Sequence, residues 1–227
     1  MTDELTRRAA HRGPRSGGPP LRVRLLGRTI SLLVARVPRA WPLLRPAARR
    51  FWNRRAEGWD ARPRSSDAEY LAPLLTACEE IEGTPERILE LGTGTGAGAI
   101  ALARRFSCAD VVGVDLSEAM VERAGAKVPP ELSDRLSFSV EDAGRLSYDE
   151  ASFDLVAQLN VPVYFDEVVR VLRPGGHVIV ASSFGPATPY YTPLNELSAK
   201  FALRGVSTER TRAVGAGDYF LGSRLSP

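Results

Sequence analysis

A short apolar strand, Ile88-Leu-Glu-Leu, runs straight into a turn with a glycine at every second position, Gly92-Thr-Gly-Thr-Gly96. A helical stretch over 98–106 follows at once. Glycines let a backbone take positive φ and let a ligand approach it closely. The start of a helix leaves backbone N–H groups without partners. A strand, a glycine turn and a helix in this order therefore make a ligand cradle, and they commit the chain to an α/β architecture.

The residues beyond the turn keep the same rhythm. Short apolar runs at 111–115, 136–140, 153–158 and 177–183 read as strands, and 118–127 and 166–172 as helices between them. Pro174-Gly-Gly176 ends the last of these helices. The tail adds a helix over 193–204 and two further strands over 206–212 and 218–223. Strands alternating with helices give a parallel sheet whose ligands bind at the carboxyl ends of the strands.

The N-terminal part differs. Residues 1–60 hold 14 arginines against four acidic residues, a charge of +10, while the remainder carries 16 basic and 23 acidic residues, −7. Residues 1–20, rich in Gly, Pro and Arg, read as disordered, and 21–37 as an amphipathic helix. Pro38, Pro42 and Pro46 read as breaks before a helix over 49–59, and Asp67 as the cap of a helix over 68–81. The expected division is a basic arm with a lid over 1–60 and a ligand-binding domain over 61–227. An acidic body excludes a basic patch around the site, so no nucleic-acid partner is expected. A basic amphipathic arm can lie on an anionic membrane surface as a peripheral contact. With two histidines and two separated cysteines, Cys78 and Cys108, no metal cluster can be assembled, and both thiols are expected free and buried. The longest early apolar run, 30–35, is far short of the ~20 residues of a membrane span, and the cytoplasm is the expected compartment.

Taken alone, the glycine turn fits two cofactor classes. Gly92-x-Gly94-x-x-Ala97 satisfies the dinucleotide pattern, and Asp115, after the second strand, can hold ribose hydroxyls in either class. No Gly-Lys-Ser/Thr follows, which excludes a P-loop. Glu90 separates the two: a carboxylate at the strand end repels a pyrophosphate and suits a cationic sulfonium or ammonium.

With Val140-Glu-Asp-Ala143, Ser152-Phe-Asp-Leu-Val156 and Val171-Leu-Arg-Pro-Gly-Gly176 in order, residues 50–225 resemble the class I S-adenosylmethionine-dependent methyltransferases, in particular the group that includes quinone-biosynthesis enzymes. The resemblance implies a Rossmann-like three-layer sandwich, its seven-stranded sheet ordered 3-2-1-4-5-7-6 with strand seven antiparallel, here with a helical N-terminal extension. It also implies roles. Glu90, Gly92, Thr93, Gly94 and Gly96 would line the methionine and ribose of S-adenosylmethionine, and Asp115 would hold the ribose hydroxyls. Leu116 and Met120 would flank the adenine. Asp142 would accept from the adenine amino group beside the Ala143 backbone, and Gln158 and Leu159 would edge the transfer site. Arg173–Gly176 would form a turn into the fifth strand.

The implied reaction is methyl transfer to a small-molecule or lipid-like acceptor. A cofactor-binding protein without catalysis and a nicotinamide-dependent oxidoreductase are the alternatives. No catalytic residue is assigned. Asn160-Val-Pro-Val-Tyr164 only partly resembles the Asn-Pro-Pro-Tyr motif of amino methyltransferases, and the connection after strand four carries no histidine. The acceptor site is expected between Gln158–Tyr164, Trp52–Trp59 and Tyr190–Tyr191.

Overall fold

A computed structural model describes residues 21, 25, 27, 29, 41–61 and 67–226. The expected disorder over 1–20 lies outside the described residues. So does most of the 21–37 helix, of which Leu21, Leu25, Gly27 and Thr29 are helical.

Seven strands form one sheet in the order β3-β2-β1-β4-β5-β7-β6. They are β1 (Arg87–Leu91), β2 (Asp110–Asp115), β3 (Leu136–Val140), β4 (Phe153–Leu159), β5 (Leu172–Ser182), β6 (Val206–Val214) and β7 (Gly217–Arg224). The first five are parallel neighbours, and β7 runs antiparallel to β5 and β6. This is the expected topology. All seven residues of the central β4 are buried, as a strand covered on both faces requires.

Alternation along the strands sorts the core into two layers. Ile88, Val111, Leu155 and Ile179 pack with Leu74 of α2 (Asp67–Glu79) and Leu102 of α3 (Ala97–Arg105). Leu89, Leu91, Val156 and Val178 pack on the other face with Val168 of α5 (Phe165–Val171) and Phe201 of α6 (Leu194–Ala202). There the Phe201 and Phe220 rings stack at 5.1 Å. Two more helices bear on the site: α1 (Trp41–Ala56) and α4 (Glu118–Gly125).

Three expectations need correction. The helix expected over 49–59 begins at Trp41 and ends at Ala56, so it includes Pro42 and Pro46. Pro42 falls in the first turn, where a missing N–H costs nothing, and Pro46 gives up one bond close to that end. Trp41 and Ala56, anchored against the body, hold both ends. The fifth strand begins at Leu172 rather than His177. Phe153 pairs with Leu172 and Leu155 with His177, so Arg173–Gly176 is a bulge within the strand. Cys108 is exposed, since it falls in the turn after α3, whereas Cys78 is buried; both are free thiols.

The Ser152-Phe-Asp154 motif sits at the far end of the sheet from the glycine turn. The buried Asp154 carboxylate accepts from the backbone N–H of Glu86 (2.7 Å) and Arg87 (2.9 Å), and pairs with Arg173. It anchors the entry to β1. Among the described residues no helix is long and apolar enough to cross a membrane, and no acidic, histidine or cysteine cluster could hold a metal ion.

Candidate active site

The glycine turn joins β1 to α3 at the carboxyl edge of the sheet. Gly92 has φ +68°, and a Cβ there would run into the Val161 side chain from the loop after β4. Both conditions call for glycine. Glu90 lies under the turn, 2% exposed. Its carboxylate accepts from the Thr93 hydroxyl and the Ala99 backbone N–H, which ties the turn to the first turn of α3. A Cβ on Gly98 would overlap Glu90 Oε1, so a bare helix face is needed there. Burial raises the Glu90 pKa to about 7, and the neighbouring Asp115 charge adds to the rise. Glu90 is therefore not a solvated strand-end charge.

Asp115 ends β2. Its Oδ2 accepts from Gly94 N (3.0 Å) and its Oδ1 from Ser117 N (2.9 Å), so one carboxylate draws two loops together. Burial raises its pKa, while these backbone bonds pull the other way. The cap of α4 is Ser117, whose Oγ accepts from Met120 N. Met120 itself is buried, whereas Leu116 is half-buried. Asp142, after β3, accepts from Gly144 N at 2.9 Å, and its Ala143 neighbour packs against the α5-side core.

Helix α1 lies across this edge. Trp41 Nε1 donates to both Asp142 oxygens, at 2.8 and 3.0 Å, and Arg45 reaches the same carboxylate at 3.4 Å. Asn53 accepts from Ser117 Oγ (2.5 Å) and donates to Glu118 (3.0 Å). Beyond the helix, the Trp59 indole lies over Gly94, 3.6 Å from where a Cβ would stand. Asp60 accepts from the Thr95 hydroxyl (2.7 Å) and pairs with Lys127 (2.5 Å). Thus α1 and the segment after it reach the ends of β1, β2 and β3 at once. Sequence reasoning missed these partners. Thr95 belongs to the glycine turn, but its Asp60 partner and the Asn53 contacts lie 35 to 65 residues apart in the chain, which no local motif encodes.

Aromatic rings wall the space beside the turn. Trp41 faces Tyr164 at 5.8 Å, Trp52 faces Trp59 at 5.7 Å and Tyr190 at 6.4 Å. The three segments expected to frame an acceptor are therefore brought together. Burial pushes the Tyr164 and Tyr190 phenols well above their ordinary pKa, so both are neutral donors near pH 7. Tyr191 turns away to bond Asp218 at 2.9 Å. Asn160 holds φ +60°, and its amide is engaged by Ser183 at both ends: Oδ1 accepts from Ser183 N (2.9 Å) and Nδ2 donates to Ser183 Oγ (2.8 Å). That amide is committed to joining the ends of β4 and β5. Gln158 is the opposite case. It is buried on the α5 side of β4, and among the described residues neither its Nε2 nor its Oε1 has a partner. A buried amide with both ends unpaired is costly unless a ligand completes it.

A carboxylate at each of two adjacent strand ends, a glycine turn and an aromatic wall together suit a nucleoside, at the edge where doubly wound sheets bind ligands. Comparison with known proteins gives the class. A methyltransferase-domain family matches residues 88–176. A demethylmenaquinone methyltransferase of Clavibacter sepedonicus is 37% identical over 111 residues, 46% of this chain and 44% of that one. A malonyl-[acyl-carrier protein] O-methyltransferase of Halorhodospira halophila is 33% identical over 165 residues, 70% and 53% of the two chains. A crystal structure of an S-adenosylmethionine-dependent methyltransferase from Aquifex aeolicus superposes with a TM-score of 0.61 at 18% identity, covering 71% and 94%. Residues 88–176 form a methyltransferase domain, and these likenesses support a class I S-adenosylmethionine-dependent methyltransferase. The chain spans about half the length of the curated relatives it matches.

Proposed function

We propose that this chain transfers the methyl group of S-adenosylmethionine to a small, lipid-like acceptor carrying a flat ring. The observation that supports it most is the setting of Asp115. This half-buried carboxylate accepts backbone N–H groups from both loops and keeps acceptor capacity for a ribose hydroxyl. In this reading Gly92, Thr93, Gly94 and Gly96 cradle the methionine and ribose, with Glu90 fixing the turn from below. Asp142 accepts from the adenine amino group beside Ala143, Leu116 borders the ring, and Met120 supports it from the core. Residues 1–60 act as arm and lid, and 61–227 as the catalytic domain.

The bound sulfonium supplies an already activated methyl electrophile. The chain's part is then to orient the acceptor and exclude water, which supplies about 7–11 kcal/mol where the fit is good. Trp41, Trp52, Tyr164 and Tyr190 suit a planar ring, and the Gln158 amide can both donate to and accept from one hydroxyl on it. The phenols are too weakly acidic to serve as bases near pH 7, so no side chain is assigned a proton-abstraction role. One relative's name specifies demethylmenaquinone and another's malonyl-[acyl-carrier protein]. The aromatic wall favours the first kind of acceptor. Such an acceptor would bring the enzyme to a membrane surface, which the basic arm suits.

Calorimetric titration should show binding of S-adenosylhomocysteine and little of NAD. Labelled S-adenosylmethionine should then pass its methyl group to a demethylated quinol and not to a malonyl thioester. Preference for NAD would overturn the cofactor reading. Transfer to the thioester alone would overturn the acceptor reading.

A further inference from the structure

Helix α1 has two faces of different character. At 100° per residue, Trp41, Arg45, Arg49, Trp52, Asn53 and Ala56 share one side. The inward contacts come from that side, to Asp142, Glu118, Ser117 and Tyr190. The opposite side carries Leu43, Ala47, Arg50, Phe51 and Arg54. Leu43 is 81% exposed, Leu44 beside it 41%, and Phe51 39%. Arg55 lays its guanidinium over the Phe51 ring at 4.8 Å. No acidic residue occurs anywhere in the helix. Among the described residues, Arg50 and Arg54 make no ion pair.

We propose that this outward face of α1 docks on an anionic lipid bilayer. The proposal rests on the surface of the chain and not on the identity of the acceptor. The charge match is direct. Exposed leucine and phenylalanine can enter the headgroup boundary while arginine stems lie along it and keep their charges at the phosphates. The remainder of the chain, residues 61–227, is acidic, so an anionic surface repels the body and attracts the arm and helix. That asymmetry fixes the orientation, with α1 down and the sheet away from the lipid. The face is a convex row of side chains and not a groove, which suits a fluid surface better than a shaped protein pocket. Two more apolar residues of the arm are exposed. Leu21 and Leu25 are 65% and 55% exposed, and Gly27 of the same helical stretch abuts Pro189, next to the Tyr190 that faces Trp52. Docking would bring the lid of the site to the lipid, with its catalytic side facing the sheet.

Co-sedimentation of the full chain with phosphatidylcholine vesicles, with and without phosphatidylglycerol, tests this. Binding is expected only to the anionic vesicles and should be released by salt. Arg50→Gln/Arg54→Gln should lower the partition coefficient by roughly 25-fold, about fivefold per charge. Leu43→Ser/Phe51→Ser should abolish the binding that survives moderate salt. Both double variants should keep the wild-type circular dichroism, and Arg50→Gln/Arg54→Gln, whose side chains contact no wall residue among the described residues, should also keep the affinity for S-adenosylhomocysteine. Equal binding to neutral and anionic vesicles, or to neither, would overturn the proposal. So would binding lost only on Leu21→Ser/Leu25→Ser, or a dimer that Leu43→Ser disperses, which would make the face an interface between copies.

Discussion

Replacing Glu90 with glutamine should change how stability depends on pH more than it changes stability itself. Glu90 is buried and carries a pKa near 7 against an ordinary 4.5, with burial as the main cause. An acid whose pKa is higher folded than unfolded binds its proton more tightly in the native state. Its contribution is therefore greatest at low pH, and it is lost as pH rises from about 4.5 through about 7. The shift corresponds to about 3 kcal/mol, most of which disappears between pH 5 and pH 8. Glutamine keeps the shape and an acceptor for Thr93 and Ala99 but does not titrate. Its extra N–H groups cost about 1–3 kcal/mol if unpaired, and that cost is the same at every pH. Asp218 also has a raised pKa but remains in both proteins and cancels in the difference, whereas Asp115 is coupled to Glu90 and the difference reports the pair. Urea unfolding of wild type and Glu90→Gln, followed by far-ultraviolet circular dichroism at several pH values, should give curves that approach and then meet or cross as pH rises, because the loss of about 3 kcal/mol matches or exceeds the cost of about 1–3 kcal/mol in the variant. Parallel curves would refute the reasoning, because Glu90 would then be ionised in the native protein throughout.

Asp115→Asn should weaken S-adenosylhomocysteine binding on the order of thirtyfold, the loss expected for charge-assisted bonds to a ribose. An unchanged calorimetric Kd would leave Asp115 with only its loop-joining role. Gly92→Ala should destabilise the fold by about 1–3 kcal/mol through overlap with Val161. Val161→Ala in the same chain should recover part of that in thermal melts, and no recovery would locate the cost in the backbone alone. Trp41→Phe removes the two bonds to Asp142. If α1 acts as a lid, labelled S-adenosylhomocysteine should leave about tenfold faster from the variant, as the loss of hydrogen bonds to a charged acceptor implies. Identical release rates would remove Trp41 from that role.

The sheet was legible because its signals are local. Strands buried on both faces read as apolar runs, and glycine, proline and acidic residues mark their ends. The order of the seven strands came from the resemblance, since no local pattern sets which strands pair. Helix α1 was read short because Pro42 and Pro46 look like breakers in isolation. Only the tertiary anchors at Trp41 and Ala56 show that the helix continues through them. Gly92, Asp115 and Asp142 stood out by position. The bonds that Trp41 and Arg45 make to Asp142 did not, because these contacts join segments far apart in the chain. The orphaned amide of Gln158 and the raised pKa of Glu90 are products of packing, which no spacing encodes.

All three tryptophans of the chain, Trp41, Trp52 and Trp59, lie in the segment that covers the site, and the sheet and its other helices contain none. The protein's indole emission is therefore a property of that segment alone. Undocking of α1 would expose the rings to water and redden the spectrum while the α/β body stayed folded. A denaturation curve recorded by tryptophan emission would then precede one recorded by backbone dichroism. The near-perpendicular Trp52 and Trp59 rings, at 78°, also give the segment a chiral near-ultraviolet signature. A single optical experiment can thus watch the cover of the site move without any introduced label.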